Sequence, residues 1–408
     1  MGNFGDILPS QFVRVSELQR QTILAETELT QSLSDSSSPD EKDSESDVFV
    51  APSDEQGLGE VFGKADDLRL STLKNLVQIL SPIQAVQFFI PAAQLHINVQ
   101  KWGKNKEAAH TRRTHDGNSS SGSGSGSGTG SGSGKESSVG TQDFGGFFKT
   151  WLLEQERGME ELRSAAKAHT DQSQNGSTLI LSGLVARVLR GYENYYQVKS
   201  ESVEQNVFQM LTPTWRSILE HAFLWIGGWR PTTAFHLLYT VVGLQVEAGL
   251  TELLTEGLTT IMPTCCDLGD LSASQLTRVN ELQMKTITEE RELSEMLASM
   301  QETVADSSMV KLSRIATEIK REHDLSIRER VGPPVGTELV ISKRVKLTLG
   351  PKENKLKQVL GKADVLRMKT IRDVVDVLNP IQAVRFLIAA AELHLRVHDW
   401  GKIKDAEL

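Results

Sequence analysis

Residues Gly361 to Lys402 read GKADVLRMKTIRDVVDVLNPIQAVRFLIAAAELHLRVHDWGK. Residues Gly63 to Lys104 read GKADDLRLSTLKNLVQILSPIQAVQFFIPAAQLHINVQKWGK, and the two align without a gap. Of the 42 aligned positions 24 are identical, far more than shared composition gives. The shared pattern is helical, because apolar residues recur at three- and four-residue spacing rather than in alternation. Asn379-Pro380 and Ser81-Pro82 each open a helix, with a side-chain acceptor at the N-cap and proline in the first turn. The spacing predicts that the second of these helices runs to Trp400 and that Gly401 ends it.

A second match lies upstream of the first. Ile7 to Leu33 aligns with Leu271 to Leu297 at 13 identical positions of 27, and the two blocks keep the same order in both copies. Nothing in the first copy corresponds to Phe144 to Pro263. The expected organisation follows. Residues 1–33 are a partial copy of a mid-domain helix and 34–56 an acidic, Ser-rich linker. Residues 57–107 are a partial copy of the C-terminal helices, 108–141 a Gly/Ser-rich linker, and 142–402 the complete domain. The first copy is a truncated tandem duplication or a fusion of neighbouring reading frames. Pro91 stands inside its last helix where the second copy has Ala389; interior proline costs roughly 3 kcal/mol, so this copy is expected to be only partly ordered.

The fold class expected is all-α, a helical bundle. Leu181, Leu184, Val185, Val188, Leu189, Tyr192, Tyr195 and Tyr196 form one helix face. Ser272 with Gln275 is a capping box, and Pro231 to Val246 is apolar but too short to span a bilayer, so it reads as a buried helix. Glu338 to Ser342 has the one strand-like composition in the chain. The run Glu289 to Glu295 reads as a solvated helix face.

The 44 Lys and Arg against 53 Asp and Glu give a net charge of −9, so no general basic field attracts nucleic acid or an anionic membrane. The only cysteines, Cys265 and Cys266, are adjacent, a poor geometry for a disulfide, which points to a reducing compartment. The opening Met-Gly-Asn-Phe-Gly-Asp is not a secretory signal, and Asp6 stands where a myristoylation site wants Ser or Thr.

The most distinctive run is Thr214-Trp-Arg-Ser-Ile-Leu-Glu-His-Ala-Phe-Leu-Trp-Ile-Gly-Gly-Trp-Arg-Pro-Thr, preceded by Phe147-Phe-Lys-Thr-Trp-Leu and Gly191-Tyr-Glu-Asn-Tyr-Tyr. These segments resemble the Delay of Germination domain, which also forms the C-terminal part of TGA-type bZIP transcription factors. The resemblance covers about 142–402, and half its pattern recurs in 7–104. It marks Trp151, Tyr195, Tyr196, Trp215, Glu220, Trp225, Gly227, Gly228, Trp229, Arg230 and Pro231 as domain motif residues. On physical grounds the tryptophans supply core area and the glycine pair breaks a helix so that Arg230-Pro231 can start another. Arg230, a charge in an apolar setting, is expected to pair with an internal carboxylate or backbone carbonyls, or else to serve a partner.

The resemblance implies a non-enzymatic plant regulator of transcription and hormone-linked development such as seed dormancy, in the nucleus, the cytoplasm or both. It implies regulatory-protein partners, with bZIP factors and type 2C phosphatases as candidate classes, and homo-oligomers are compatible with it. The segment before Trp151, Gly146-Phe147-Phe148-Lys149-Thr150, lacks the aspartate and serine of the family's phosphatase-linked segment. Direct DNA recognition is the alternative the TGA relatives suggest, yet Arg112-Arg113 and Lys343-Arg344-Val345-Lys346 are too sparse for a basic helix.

A second alternative is haem. Members of the family that bind haem carry a His-x-x-x-His like His394 and His398, which stand four apart and so share a helix face. His96 matches His394 in the first copy, whereas Gln100 replaces His398. Two side chains on one face cannot sit on opposite sides of one haem plane, so at most one is axial, and His394 is favoured because Leu393 and Leu395 flank it. Without a cofactor, His394 would be half-buried and His398 solvated. No Gly-x-Ser-x-Gly, Walker loop or His-Glu-x-x-His is present, so no enzyme class is signalled.

Overall fold

The computed structural model describes residues 7–35, 53–116, 144–171, 177–243, 271–328 and 337–407. Every regular element among them is helical, and the only bridge is an isolated one between Trp225 and Gly228. The helices are α1 (Pro9–Asp35), α2 (Ser53–Ile79), α3 (Pro82–Asp116), α4 (Phe144–Asp171), α5 (Ser177–Gln205), α6 (Val207–Leu211) and α7 (Ile218–Ala222). They are followed by α8 (233–243), α9 (Ala273–Glu302), α10 (Ser307–Arg328), α11 (Thr337–Val377) and α12 (Pro380–Glu407). The chain divides into two compact units, Met1–Asn105 with Val310–Pro334, and Lys106–Met309 with Val335–Leu408.

In the larger unit α9 lies along α11, and α12 packs against α4, α5 and α7. One apolar cluster gathers Leu162, Leu181, Phe235 and Leu238 around Val374, Val384, Phe386 and Leu387. A second joins Phe148, Trp151, Tyr195 and Val207 to Val359, Leu360 and Ala363. The front half, α4 to α8, therefore covers the inner faces of α11 and α12. Ser272 caps α9 through a complete capping box with Gln275, and Asn379 Oδ1 accepts from the Gln382 N–H at the start of α12, as the sequence predicts.

In the smaller unit the repeat is visible as repeated contacts. Gln275 on α9 donates to the Val377 carbonyl (2.9 Å) and to Gln382 (2.9 Å), which ties the mid-domain helix to the α11–α12 corner. Gln11 on α1 donates to the Ile79 carbonyl (2.8 Å) and to Gln84 (2.9 Å), the matching positions of the first copy. Asn98, which replaces the Arg396 of the second copy, donates to the Ser313 carbonyl and hydroxyl and so anchors α10 on α3. α3 continues through Pro91.

Three expectations change. Glu338–Ser342 is not a strand but part of α11, where it continues into a helix of 41 residues. Gly401 does not end its helix, which runs on to Glu407. It serves close packing instead, since a Cβ there would lie 2.0 Å from Ser217 Oγ. The run Glu289–Glu295 is not uniformly solvated, because Glu290 is fully buried and Leu293 nearly so. Both cysteines lie outside the described residues, as does most of each expected linker, although α2 begins at Ser53 and α3 reaches Asp116.

Candidate functional site

The run 214–232 is held at three places, and each uses a different chemistry. At its centre Trp225 N donates to the Gly228 carbonyl (2.7 Å) and Gly228 N to the Trp225 carbonyl (3.1 Å). Ile226 (φ 45°) and Gly227 (φ 67°) both occupy the left-handed region, as the two central residues of a type I′ turn must. A Cβ on Gly227 would meet the Met210 carbonyl at 2.5 Å, and one on Gly228 would meet the Arg367 guanidinium carbon at 2.7 Å. The glycine pair is thus demanded by conformation at 227 and by close approach at 228.

Arg367 on α11, with no exposed surface, closes on this turn. It donates to the carbonyls of Trp225, Ile226 (3.0 Å) and Trp229 (2.6 Å) and to Asp364 Oδ1 (2.5 Å), and lies 5.3 Å from the Trp225 ring centroid. Lys199 on α5 donates to the Gly227 carbonyl and to Asp364 Oδ1, both at 2.9 Å. Burial pulls the Lys199 ammonium down to about 8, Asp364 opposing and Arg367 reinforcing the fall. The two cations are therefore satisfied by one shared carboxylate and by four backbone carbonyls in and just after one turn, which is how buried charge becomes tolerable.

Arg230 pairs with an internal carboxylate, one of the two roles expected of it. Its Nε donates to Glu290 Oε2 (2.7 Å), while Glu290 also accepts from the Thr232 N–H (2.6 Å) and hydroxyl (3.2 Å). This explains why Glu290 leaves solvent. The corresponding Glu26 of the first copy, with no such partners, is exposed. Pro231 is buried, whereas Trp225 and Trp229 are half-buried and each satisfies its indole N–H: Trp225 on Ser294, Trp229 on the Tyr196 hydroxyl (2.8 Å). The Tyr196 phenol is held well above its ordinary pKa, chiefly by burial.

At the other end of the run, Ser217 caps α7 in a capping box with Glu220. His398 Nδ1 donates to Glu220 Oε2 (2.9 Å), so the helix cap is also the anchor of α12. Burial raises the Glu220 carboxyl, but the Ser217 N–H, His398 and Arg216 together bring it below the usual range. Serine, histidine and glutamate meet here without forming a nucleophilic triad. Ser217 Oγ donates to Glu220 rather than to His398, and Gly401 covers it.

His398 is buried, not solvated as expected, because Glu220 draws it inward and the Phe148 ring lies edge-on at 5.8 Å. His394 sits one turn earlier, edge-on to Trp151 at 5.4 Å between ring centroids. Burial, with help from Arg216 and His398, pulls it down to about 3, so it is neutral at physiological pH. Its Nε2 has no hydrogen-bond partner and essentially no exposure. Trp151 and Tyr195 lie tilted at 4.5 Å, Tyr196 meets Tyr195 edge-on at 5.2 Å, and Phe144 bridges Tyr195 to Trp215 at 5.8 and 5.1 Å, so four of the motif aromatics form one continuous group that reaches α12 where Trp151 meets His394. A free Nε2 is chemically suited to iron, yet a macrocycle beside it would need the space those packed rings occupy. The histidine pair does not fit haem in this conformation. Among the described residues no cluster of three or more His, Cys, Asp or Glu could hold a metal ion, and no helix is long and apolar enough to cross a membrane.

The sequence motif missed Arg367, Asp364, Lys199, Glu290 and Ser217. A signal for the first two was present: Asp66 and Arg69 repeat them at the matching positions.

A family profile described as seed dormancy control matches residues 158–240. The chain is similar to Protein DOG1-like 3 of Arabidopsis thaliana, 27% identical over 273 residues, which cover 66% of this chain and 88% of that protein. It is 29% identical to Protein DOG1-like 1 over 272 residues, or 63% of this chain and 88% of the relative. Transcription factor TGA2 is 27% identical over 261 residues, 64% of this chain and 62% of that factor. Residues 158–240 thus match the seed dormancy control profile, and the chain is similar both to the DOG1-like proteins and to TGA2.

Proposed function

We propose that this chain is a non-enzymatic plant regulator that acts on transcription and hormone-linked development, such as seed dormancy, through contacts with other proteins. The observation that supports this reading is the disposition of the motif's polar groups. Arg230, Glu220 and Glu290, with Arg367 and Lys199, are all engaged in holding the 214–232 run to α5, α9, α11 and α12. None stands free in a cleft as a general acid, base or nucleophile would. The motif stabilises a helical surface, and surfaces of this kind act by binding.

The partner classes that the relatives suggest are bZIP factors, with type 2C phosphatases second because the Gly146–Thr150 segment lacks the family's acidic and hydroxyl residues. Direct DNA recognition is the lesser reading, since the net charge is −9 and neither basic cluster is dense. Calorimetric titration of the purified full chain with a TGA-type factor, a type 2C phosphatase and duplex DNA, each at two salt concentrations, tests the proposal. Saturable binding to a protein partner that persists at high salt is expected. Binding to DNA that discriminates one sequence from another at both salt concentrations, without any protein partner, would overturn it. A fluorescent fusion assigns the compartment, with nucleus and cytoplasm both expected.

A further inference from the structure

The first copy keeps the inner face of α11–α12 without the half of the domain that covers it. Of the 20 positions within 361–402 that are buried in the second copy, 14 carry the identical residue in 63–104. Five of the other six (positions 368, 371, 374, 377 and 387) exchange one apolar residue for another, and only His398, replaced by Gln100, becomes a different type. Yet Phe62, Leu70, Leu73, Ile83, Val86 and Ile90 are 44–73% exposed, where their counterparts in the second copy are buried or, for Ile388, half-buried. The stripe is continuous on α2, because 62, 66, 69, 73 and 77 follow three- and four-residue spacing along one face. Asp66 and Arg69 lie in its middle and pair at 2.6 Å with side chains 78% and 71% exposed, against 9% and 0% for Asp364 and Arg367.

We infer that this face is the interface of a homodimer, in which α2 of one chain packs antiparallel against α2 of a second copy. The reason lies in self-complementarity. Antiparallel pairing about a two-fold axis between Asp66 and Arg69 places each Asp66 opposite the other chain's Arg69, and each Phe62 opposite the other chain's Leu73. A four-charge cluster of alternating sign then sits inside an apolar rim, and both halves of the contact are the same surface, as an isologous interface requires. The front half of a second chain is no competitor as occupant, since α11 and α12 of its own chain already cover it. An uncovered apolar face of this breadth is uncommon on a monomer.

Charge reversal in the full chain tests the pairing. Arg69→Asp puts Asp opposite Asp twice, and Asp66→Arg puts Arg opposite Arg twice, so each variant alone should weaken dimerisation by about tenfold or more. An equimolar mixture of the two should dimerise as heterodimers, and the double variant Asp66→Arg/Arg69→Asp should recover the wild-type dimer. Sedimentation velocity across a concentration series reads all four samples. Circular dichroism should be unchanged in each, because both side chains are exposed in the single chain, and the melting curve should fall only as far as lost dimerisation lowers it. A wild-type chain that stays monomeric throughout, a dimer indifferent to both reversals, or a mixture that dimerises no better than its components would each overturn the inference.

Discussion

Replacing Arg367 and Arg69 with methionine, one at a time, asks whether the same Asp-x-x-Arg pair differs in consequence only because of what covers it. Arg367→Met leaves the carbonyls of Trp225, Ile226 and Trp229 without their donor and removes one of the two cations facing Asp364. Taking one member from a buried, hydrogen-bonded ion cluster costs about 3–5 kcal/mol. The remaining Lys199–Asp364 pair (2.9 Å) keeps the loss from rising further. With a urea dependence of about 2–3 kcal/mol per molar for a domain of this size, the midpoint should fall by about 1–2.5 M. Arg69→Met removes an i,i+3 pair that is exposed in the single chain and, at concentrations where the chain is monomeric, should cost less than about 0.5 kcal/mol. Tryptophan fluorescence suits the measurement, because Trp102 is the only one of the six tryptophans in the smaller unit. Equal shifts for the two variants, or a midpoint unmoved by Arg367→Met, would refute the assignment of the turn clamp.

The glycines supply a matching pair: Gly401→Ala should destabilise by about 1–3 kcal/mol, since its Cβ would meet Ser217 Oγ at 2.0 Å. Gly103→Ala, with nothing within 4 Å, should be neutral or stabilise α3 by about 0.5–1 kcal/mol, and thermal melts of the two read the contrast. For acid stability, a His394 pulled from 6.5 to about 3 binds its proton more readily in the unfolded chain. Stability is then full above pH 6.5 and falls toward pH 3 by up to about 1.4 kcal/mol per pH unit, and His394→Gln should flatten that limb of the urea-midpoint profile. Titrating haemin into the full chain should give no Soret shift at stoichiometric ratio; a shift abolished by His394→Ala would show instead that the Trp151 side of the pocket opens to admit the group.

The helices, the caps at Ser272 and Asn379, and the relation between the copies were legible because each rests on local spacing or on identity between two segments of one chain. What covers a residue is not local, and there the reading failed. Glu290 looked like one carboxylate among several on a charged helix, until Arg230 and Thr232, some 60 positions earlier, are seen to enclose it. His398 beside Asp399 looked solvated, yet Glu220 across the bundle turns it inward. Gly401 looked like a helix terminator because glycine commonly is one; α7 instead makes it a contact point. The same sequence in two settings makes the cause plain. GKAD-x-L-R is a buried clamp on a turn in the second copy and a surface pair in the first, and Gly401 touches Ser217 where Gly103 touches nothing. Identity between the copies therefore transmits secondary structure and the corner made by Gln11 or Gln275, whose partners lie within the duplicated blocks. It does not transmit burial, whose cause is the front half that only one copy possesses. A second chain offering the same open face would restore burial to Phe62 and Leu73, and on that ground the retained apolar residues of α2 bear on association rather than on the interior of a monomer.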